Sequence, residues 1–525
     1  MVSNLVDTAP ALIVPASGDM NEIAIRDSRG ELTWRQLQRV LDRVVGTLQE
    51  AGVEPGSAVA VFAENSLEAV LAHLAGAVAG MRTVPINFHL TAGEVATIIS
   101  DSGARVIFVG PENADVGVAS VASIAGCTVL GWRCAPDIGV ADWASSELTG
   151  AQLRSPAELV PLPNLLYTSG TTGTQKATEL PPTMFVGGAS ILEHLERLRS
   201  SASMASGTAS LPGVHLVVGP LYHTGPLCAY RLLAGGTPVV VMGRFDPERT
   251  LAAIEEFRVA STSLVPTHFR RLLALPEQIR RRYDVSSIGH IWTTGAACPA
   301  AVKRAIIEWF GPVVSEAYGA TEVGTVTAIS AQEWLEHPDS VGKCIEPFSV
   351  VVIDDDGKEC AVGEVGRLYF RDATGRGVDY VHDPVKSAAA HIAPGVFTLG
   401  EVGRVDSEGY VYITDRASDM VISGGVNIYP AEVENVLSAH PGVTDVAVIG
   451  VPDPDMGEAI MALVVVAPGA TPSEAELIGY CRTQLAHYKC PRSVTFVDSL
   501  HRTEVGKLDK RSLRAPFWPT DRTIG

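Results

Sequence analysis

Between residues 33 and 109 the chain alternates two hydrophobic periods. Thr33-Trp34-Arg35-Gln36 is a capping-box signature, and Leu37, Val40, Leu41, Val44, Val45 and Leu48 follow it at helical spacing, with Gly52 as the stop. The unbroken apolar run 58–62 reads as a strand buried on both faces. The unit then repeats, with a helix over 67–79, a strand over 83–86, a helix over 92–101 and a strand over 104–109. A second series runs from 211 to about 314, with strands near 237–242, 261–265 and 288–293 and a helix over 247–258. Strand–helix alternation predicts parallel, doubly wound sheets. After about residue 345 the texture changes to short strands around turn signals such as Asp354-Asp355-Asp356-Gly357 and Ser407-Glu408-Gly409, which predicts an antiparallel β subdomain. Beyond Asp415 the pattern is compact α+β: helices over 430–439 and 473–485, strands over 445–451, 460–467 and 494–497. The fold expected is α/β: two doubly wound subdomains and a β subdomain in a region 1–416, then a small α+β domain, 417–525. No low-complexity linker separates them, so the joint must be a short hinge.

A chain of 525 residues exceeds one ordinary core, and 46% apolar residues are enough to fill several. No apolar run reaches the ~18 residues that span a bilayer. Residues 1–19 carry Pro10 and Pro15 and no basic start, which does not read as a signal peptide, so a soluble cytoplasmic enzyme is expected. The formal charge of −19 argues against nucleic acid or an anionic membrane as principal partner. The 8 cysteines are scattered without a CxxC pair, as suits reduced thiols. Only 8 lysines stand against 32 arginines, so a lysine here is somewhat more apt to be one that needs a compact ammonium.

The run Tyr167-Thr168-Ser169-Gly170-Thr171-Thr172-Gly173-Thr174-Gln175-Lys176 follows apolar Leu165-Leu166. Small residues let backbone N–H groups approach an anion, and hydroxyls and an ammonium add donors, which reads as a polyphosphate loop. A Walker loop counted from Gly170 would need glycine at 175 and a hydroxyl at 177; Gln175 and Ala177 stand there, and Pro181-Pro182 obstruct the helix that should follow.

Four further segments stand downstream: Tyr318-Gly319-Ala320-Thr321-Glu322; Gly363-Glu364-Val365-Gly366; Asp415-Arg416-Ala417-Ser418-Asp419 running into Ser423-Gly424-Gly425-Val426-Asn427; and Arg502-Thr503-Glu504-Val505-Gly506-Lys507. With the phosphate loop they resemble, in order, the motifs of the adenylate-forming superfamily of acyl-CoA synthetases, luciferases and peptide-synthetase adenylation domains. The resemblance implies a phosphate loop at Thr168, Ser169, Gly170, Thr171, Thr172, Gly173 and Lys176. It makes Glu322 a magnesium ligand and Thr321 a hydrogen-bond donor to the α-phosphate. Gly295-Ala296-Ala297 and Glu316-Ala317-Tyr318-Gly319 would enclose adenine, Glu401 and Arg416 would hold the ribose, and Ile413 would complete the nucleotide site. Lys507 would bridge the carboxylate and phosphate, where two anions meet. His223 and Thr224, in a segment from Pro220 to Pro226, would line the acyl pocket with Val265, Pro266, Gly295 and Gly319. Three departures stand out: Leu399-Gly400-Glu401 replaces a usual Thr-Gly-Asp, Gln175-Lys176-Ala177 a usual Pro-Lys-Gly, and Ser418 occupies the hinge where Asp or Lys is common.

The activity implied is a two-step ligation: a carboxylic acid and ATP give acyl-AMP and pyrophosphate, then coenzyme A takes the acyl group and AMP leaves. ATP, Mg2+ and coenzyme A are the implied small-molecule partners. Ser423, Gly424 and Gly425 would line the pantetheine tunnel, and Lys489 would meet the phosphates of coenzyme A, whereas Lys510 is expected as surface charge. The rivals are an acyl-AMP ligase that loads a carrier protein and an inactive acyl or nucleotide binder. The pocket segments 216–227 and 264–269 are apolar with small residues and no evident basic group, which favours a hydrophobic monoacid, fatty, aromatic or polycyclic. A homodimer is the base-rate expectation.

Overall fold

The computed structural model describes residues 11–138, 140–143, 155–169, 175–200, 213–354, 356–381, 383–416, 419–423, 426–454, 456–503 and 506–518. Helix Trp34–Glu50 begins where the capping box predicts: the Thr33 hydroxyl accepts from the Gln36 amide at 3.3 Å, and the Gln36 side chain accepts from the Thr33 amide at 2.8 Å. Its face of Trp34, Leu37, Leu41, Val44 and Leu48 is buried, while Gly52 takes φ +71° just after the helix. Strand Ala58–Phe62 is buried throughout and lies between Arg82–Pro85 and Ala104–Val109. With Thr128–Gly131 and Ala141–Asp142 these form a five-stranded, wholly parallel sheet.

The second sheet has nine strands, ordered Lys343–Cys344, Gly324–Ser330, Val314–Ala320, His290–Thr293, Val259–Ser263, Val214–Val217, Val239–Val241, Ile23–Arg26 and Glu31–Thr33. Its six central strands are parallel and both edges turn antiparallel. Two strands from the start of the chain thus complete a sheet whose other members begin at residue 214. Local periodicity cannot announce such a pairing, because it is set by packing across the core rather than by a turn. The expected antiparallel subdomain is six strands between Phe348 and Arg416. One strand there matters: Glu401–Val405 puts Glu401 directly opposite Arg416.

From Val421 on, a separate five-stranded sheet packs helices Pro430–Ser438 and Glu474–Arg482 over a core that includes Val421, Val433, Leu437, Val448, Ile460, Leu477 and Cys481. This tail is tied to the nine-stranded region by Asp445, whose carboxylate takes Arg270 at 2.9 Å and the fork of Arg502 at 2.7 and 2.8 Å. Burial would raise the Asp445 carboxyl, but the two guanidiniums more than offset it and hold it below the ordinary value. Arg502 also donates to the Gly506 carbonyl at 3.0 Å, which shapes the turn before Lys507. Gly506 has φ +79° and is pressed against helix Pro266–Leu273, where a Cβ would stand 2.8 Å from a Thr267 methyl.

Candidate active site

A cavity of about 180 Å³ opens at the carboxyl ends of the parallel strands, the place where open α/β sheets bind ligands. Gly219, Ser263, Thr294, Gly295 and Thr321 come from the ends of four neighbouring strands and the loops after them, and Thr224, Cys228 and Arg231 from one face of helix Thr224–Ala234 at i, i+4 and i+7. Lys507 reaches the same cavity from the tail. His223, Thr224, Val265, Gly295, Gly319, Ala317 and Thr321 are therefore gathered around one space with Lys507; Pro266 is buried beside it as the first residue of its helix. Gly319 is dictated by backbone approach: a Cβ there would lie 1.9 Å from the Gly324 carbonyl oxygen, across the turn that carries Thr321 and Glu322. His223 caps helix Thr224–Ala234, and burial, with the Lys507 charge second, lowers its imidazole to about 4. It is neutral at pH 7.

Around the expected phosphate loop, strands Leu165–Ser169 and Gln175–Glu179 pair with Thr168 opposite Lys176. The loop 170–174, holding Gly170, Thr171, Thr172 and Gly173, lies outside the described residues, as do the side chains of Thr168 and Ser169. Lys176 pairs with Asp383 and stands 5.7 Å from the centre of the Tyr380 ring; Lys386 lies 4.2 Å from the same ring. The Tyr380 phenol is raised by burial and by Glu322, to which it hydrogen-bonds. Lys386 is lowered by burial first and by the Lys176 charge second. Glu322, expected as a magnesium ligand, thus accepts from the Tyr380 phenol and lies close enough to Lys386 to oppose that lowering.

Among the residues expected to meet the nucleotide, Tyr318 donates to Glu401 at 2.6 Å, and Glu401 is 6% exposed. Arg416 is the cross-strand partner of Glu401, although its side chain is outside the described residues. Ile413 packs in the same core cluster as Tyr318. Glu316, expected beside adenine, holds Lys303 with its carboxylate at 2.6 Å, and Lys303 is fully buried against the Trp334 ring at 4.7 Å. Ala296 is half-buried and Ala297 exposed on the loop after Gly295, outside the cavity lining.

Ser423 is buried on strand Val421–Ser423 and Lys489 is paired with Glu432, while Gly424, Gly425 and the hinge residue Ser418 lie outside the described residues. Lys510 corrects its expectation: it is 11% exposed and paired with Glu434 at 2.9 Å, because helix Lys510–Arg514 packs back on the tail. The expectation of a pocket without a basic group is also corrected. Arg231 lies one helical turn beyond the end of segment 216–227 and lines the cavity. Sequence reading also missed Lys386, although the scarcity of lysine is a signal that could have flagged it. Nothing local marks Arg270 and Asp445, which meet only across the fold.

The AMP-binding enzyme family matches residues 14–376, and the AMP-binding enzyme C-terminal domain matches residues 432–507. The chain belongs to the AMP-binding enzyme family. It is 34% identical over 500 residues to a feruloyl-CoA synthase of Amycolatopsis sp, covering 94% of this chain and 96% of that one. It is 33% identical over 532 residues to 3-[(3aS,4S,7aS)-7a-methyl-1,5-dioxo-octahydro-1H-inden-4-yl]propanoyl:CoA ligase of Rhodococcus jostii, covering 97% and 98%. The amide bond synthetase McbA of Marinactinospora thermotolerans superposes with a TM-score of 0.80 at 28% identity, over 95% of this chain and 97% of that one. Within its family the protein is an AMP-forming acid–thiol ligase, and its activity is ATP-dependent acyl-CoA ligation. Among the described residues no helix is long and apolar enough to cross a membrane.

Proposed function

We propose that the cavity holds the acid with its carboxylate toward Lys507, and that the nucleotide lies from Tyr318 and Glu401 to the Lys176 and Lys386 cluster. The observation that carries this reading is the meeting of Lys507, from the tail, with Thr321, His223 and Gly295 at one space. A carboxylate oxygen of the acid attacks the α-phosphorus, the bond to the bridging oxygen breaks, and pyrophosphate leaves. The Lys507 ammonium offsets the charge gathered as two anions approach, and Thr321 donates to the α-phosphate. Lys176 exchanges Asp383 for the β and γ phosphates, and Lys386 adds a second ammonium there. Magnesium held by Glu322 would neutralise phosphate charge and orient the leaving group. His223, neutral and buried, acts as pocket wall rather than base, since a carboxylate substrate has no proton to lose at neutral pH.

In the second half-reaction the thiol of coenzyme A attacks the acyl carbonyl and AMP leaves. The tail from 417 turns about Ser418 so that Gly424 and Gly425 replace Lys507 at the reacting centre. The acid has an apolar body, in keeping with the Met184, Val265 and Trp292 walls and with the aromatic and polycyclic acids in the relatives' names. ATP–pyrophosphate exchange across aromatic, fatty and polycyclic acids, followed by thioester assay with coenzyme A, tests this. Exchange with none of them would overturn it.

A further inference from the structure

Arg231 is 2% exposed, yet among the described residues its Nε and Nη1 atoms meet no hydrogen-bond partner. Among the described residues its only recorded close neighbour of opposite polarity is the Tyr230 ring face, 5.6 Å from the guanidinium carbon. An isolated buried guanidinium is costly, because the field lost with its hydration is not replaced. Folded proteins carry such a group where a ligand supplies the missing charge. Here the opening lies alongside: Arg231 lines the acyl cavity, and no carboxylate is among the described residues that line it.

The surroundings sharpen the chemistry. His215 lines the same end, with Nδ1 on the Ser261 hydroxyl at 2.9 Å and Nε2 unpartnered. Burial lowers His215 to about 4, so it is a neutral polar neighbour at pH 7 and leaves the formal charge to Arg231. Arg231 lies seven residues along the helix from Thr224, roughly 10 Å along its axis. The residue before Thr224 is His223, which is close enough to feel the Lys507 charge. One cation thus stands at each end of an otherwise largely apolar space.

We infer that the acid carries a second carboxylate at its far end, received by Arg231, so that the substrate is a dicarboxylic acid with an apolar middle. This rests on the acyl-CoA ligase reading and narrows it. The second carboxylate forms an ion pair with the guanidinium fork, and His215 Nε2 contributes in whichever tautomer complements it. A neutral group of the same size leaves the guanidinium buried and unpaired, which is how a built polar site rejects an analogue.

The test compares each diacid with its own monomethyl ester, which keeps one activatable carboxylate and loses only the second charge. Succinate through sebacate, together with terephthalate, are assayed by ATP–pyrophosphate exchange. The expected result is at least one pair in which the diacid exceeds its ester about tenfold or more in kcat/KM, chiefly through KM. Arg231→Leu should bring that ratio down by a similar factor, and Arg231→Gln should give the same direction if the leucine variant does not fold. A ratio at or below one for every pair, or a ratio unmoved by either variant, overturns the inference. Exchange with no acid of any kind defeats the ligase reading by itself. The pocket is then probed by the thermal shift that the diacids cause, and a shift indifferent to Arg231 defeats the inference as well.

Discussion

Beside the strands that flank the expected phosphate loop Lys176 is paired with Asp383 and Lys386 stands over the Tyr380 ring, whereas Arg231 and His215 on the cavity lining carry nitrogens that meet no partner among the described residues. Lys303, buried behind the nucleotide side, has both Glu316 and the Trp334 face. The cations proposed to meet phosphate are held by partners they can exchange, which suits a ligand that arrives and departs with each turnover. Arg231 has no such partner among the described residues, so on our inference its interaction with a bound group is gained in full. The contrast teaches that burial alone does not identify a binding residue. Lys303 is as buried as Arg231, and its partners account for it.

The largest expected effect sets these two buried cations against each other. Glu316→Ala would strand Lys303 and cost about 3–5 kcal/mol, whereas Arg231→Leu removes a charge already stranded and should be neutral or stabilising by about 1–4 kcal/mol. Chemical denaturation without ligand measures both, and a loss in Arg231→Leu equal to that in Glu316→Ala would break the comparison.

Next is Lys507→Ala, expected to slow pyrophosphate exchange about 10²–10³-fold while leaving acyl transfer from presynthesised acyl-AMP to coenzyme A. Gly425→Leu should do the reverse. Equal losses in both half-reactions for both variants would refute a tail that serves them in turn.

Glu401→Ala should weaken ATP about ten- to a hundredfold, roughly 1.5–3 kcal/mol, by removing a carboxylate that accepts from Tyr318 and that in the proposed site faces the ribose. Tyr318→Phe should give the smaller part of that loss. An apparent ATP constant untouched by Glu401→Ala would move the ribose site elsewhere.

The remaining effect, the acid slope, is spread over several groups rather than one. His215, His223 and His268 line the cavity and are all lowered by burial, the first two to about 4. A base lowered in the folded state takes up protons more readily when unfolded, so stability is complete above about pH 6.5 and falls as the pH drops toward 4. Each histidine contributes up to about 1.4 kcal/mol per pH unit inside that window. Melting temperature measured from pH 7 to pH 5 should decline, and a flat profile would show the inner end to be hydrated rather than dry.

Much of this was written along the chain. The capping box at Thr33, the buried run at Ala58–Phe62, the turn-rich texture after residue 345 and the ordered motifs from Tyr167 to Lys507 are local patterns, and local patterns follow from propensity and periodicity. They gave the α/β class and the family, and they named the candidate site residues, including Glu401 in its unusual context. What periodicity cannot carry is which distant residues face each other. The pairing of Ile23–Arg26 with Val239–Val241, the clamp of Arg270 and Arg502 on Asp445, and the burial of Glu316 against Lys303 arise only when separate elements pack. Arg231 shows the limit most plainly. In the sequence it is one of 32 arginines, set in the mostly apolar stretch 227–234; only the closed fold removes its water and, among the described residues, provides no carboxylate in return.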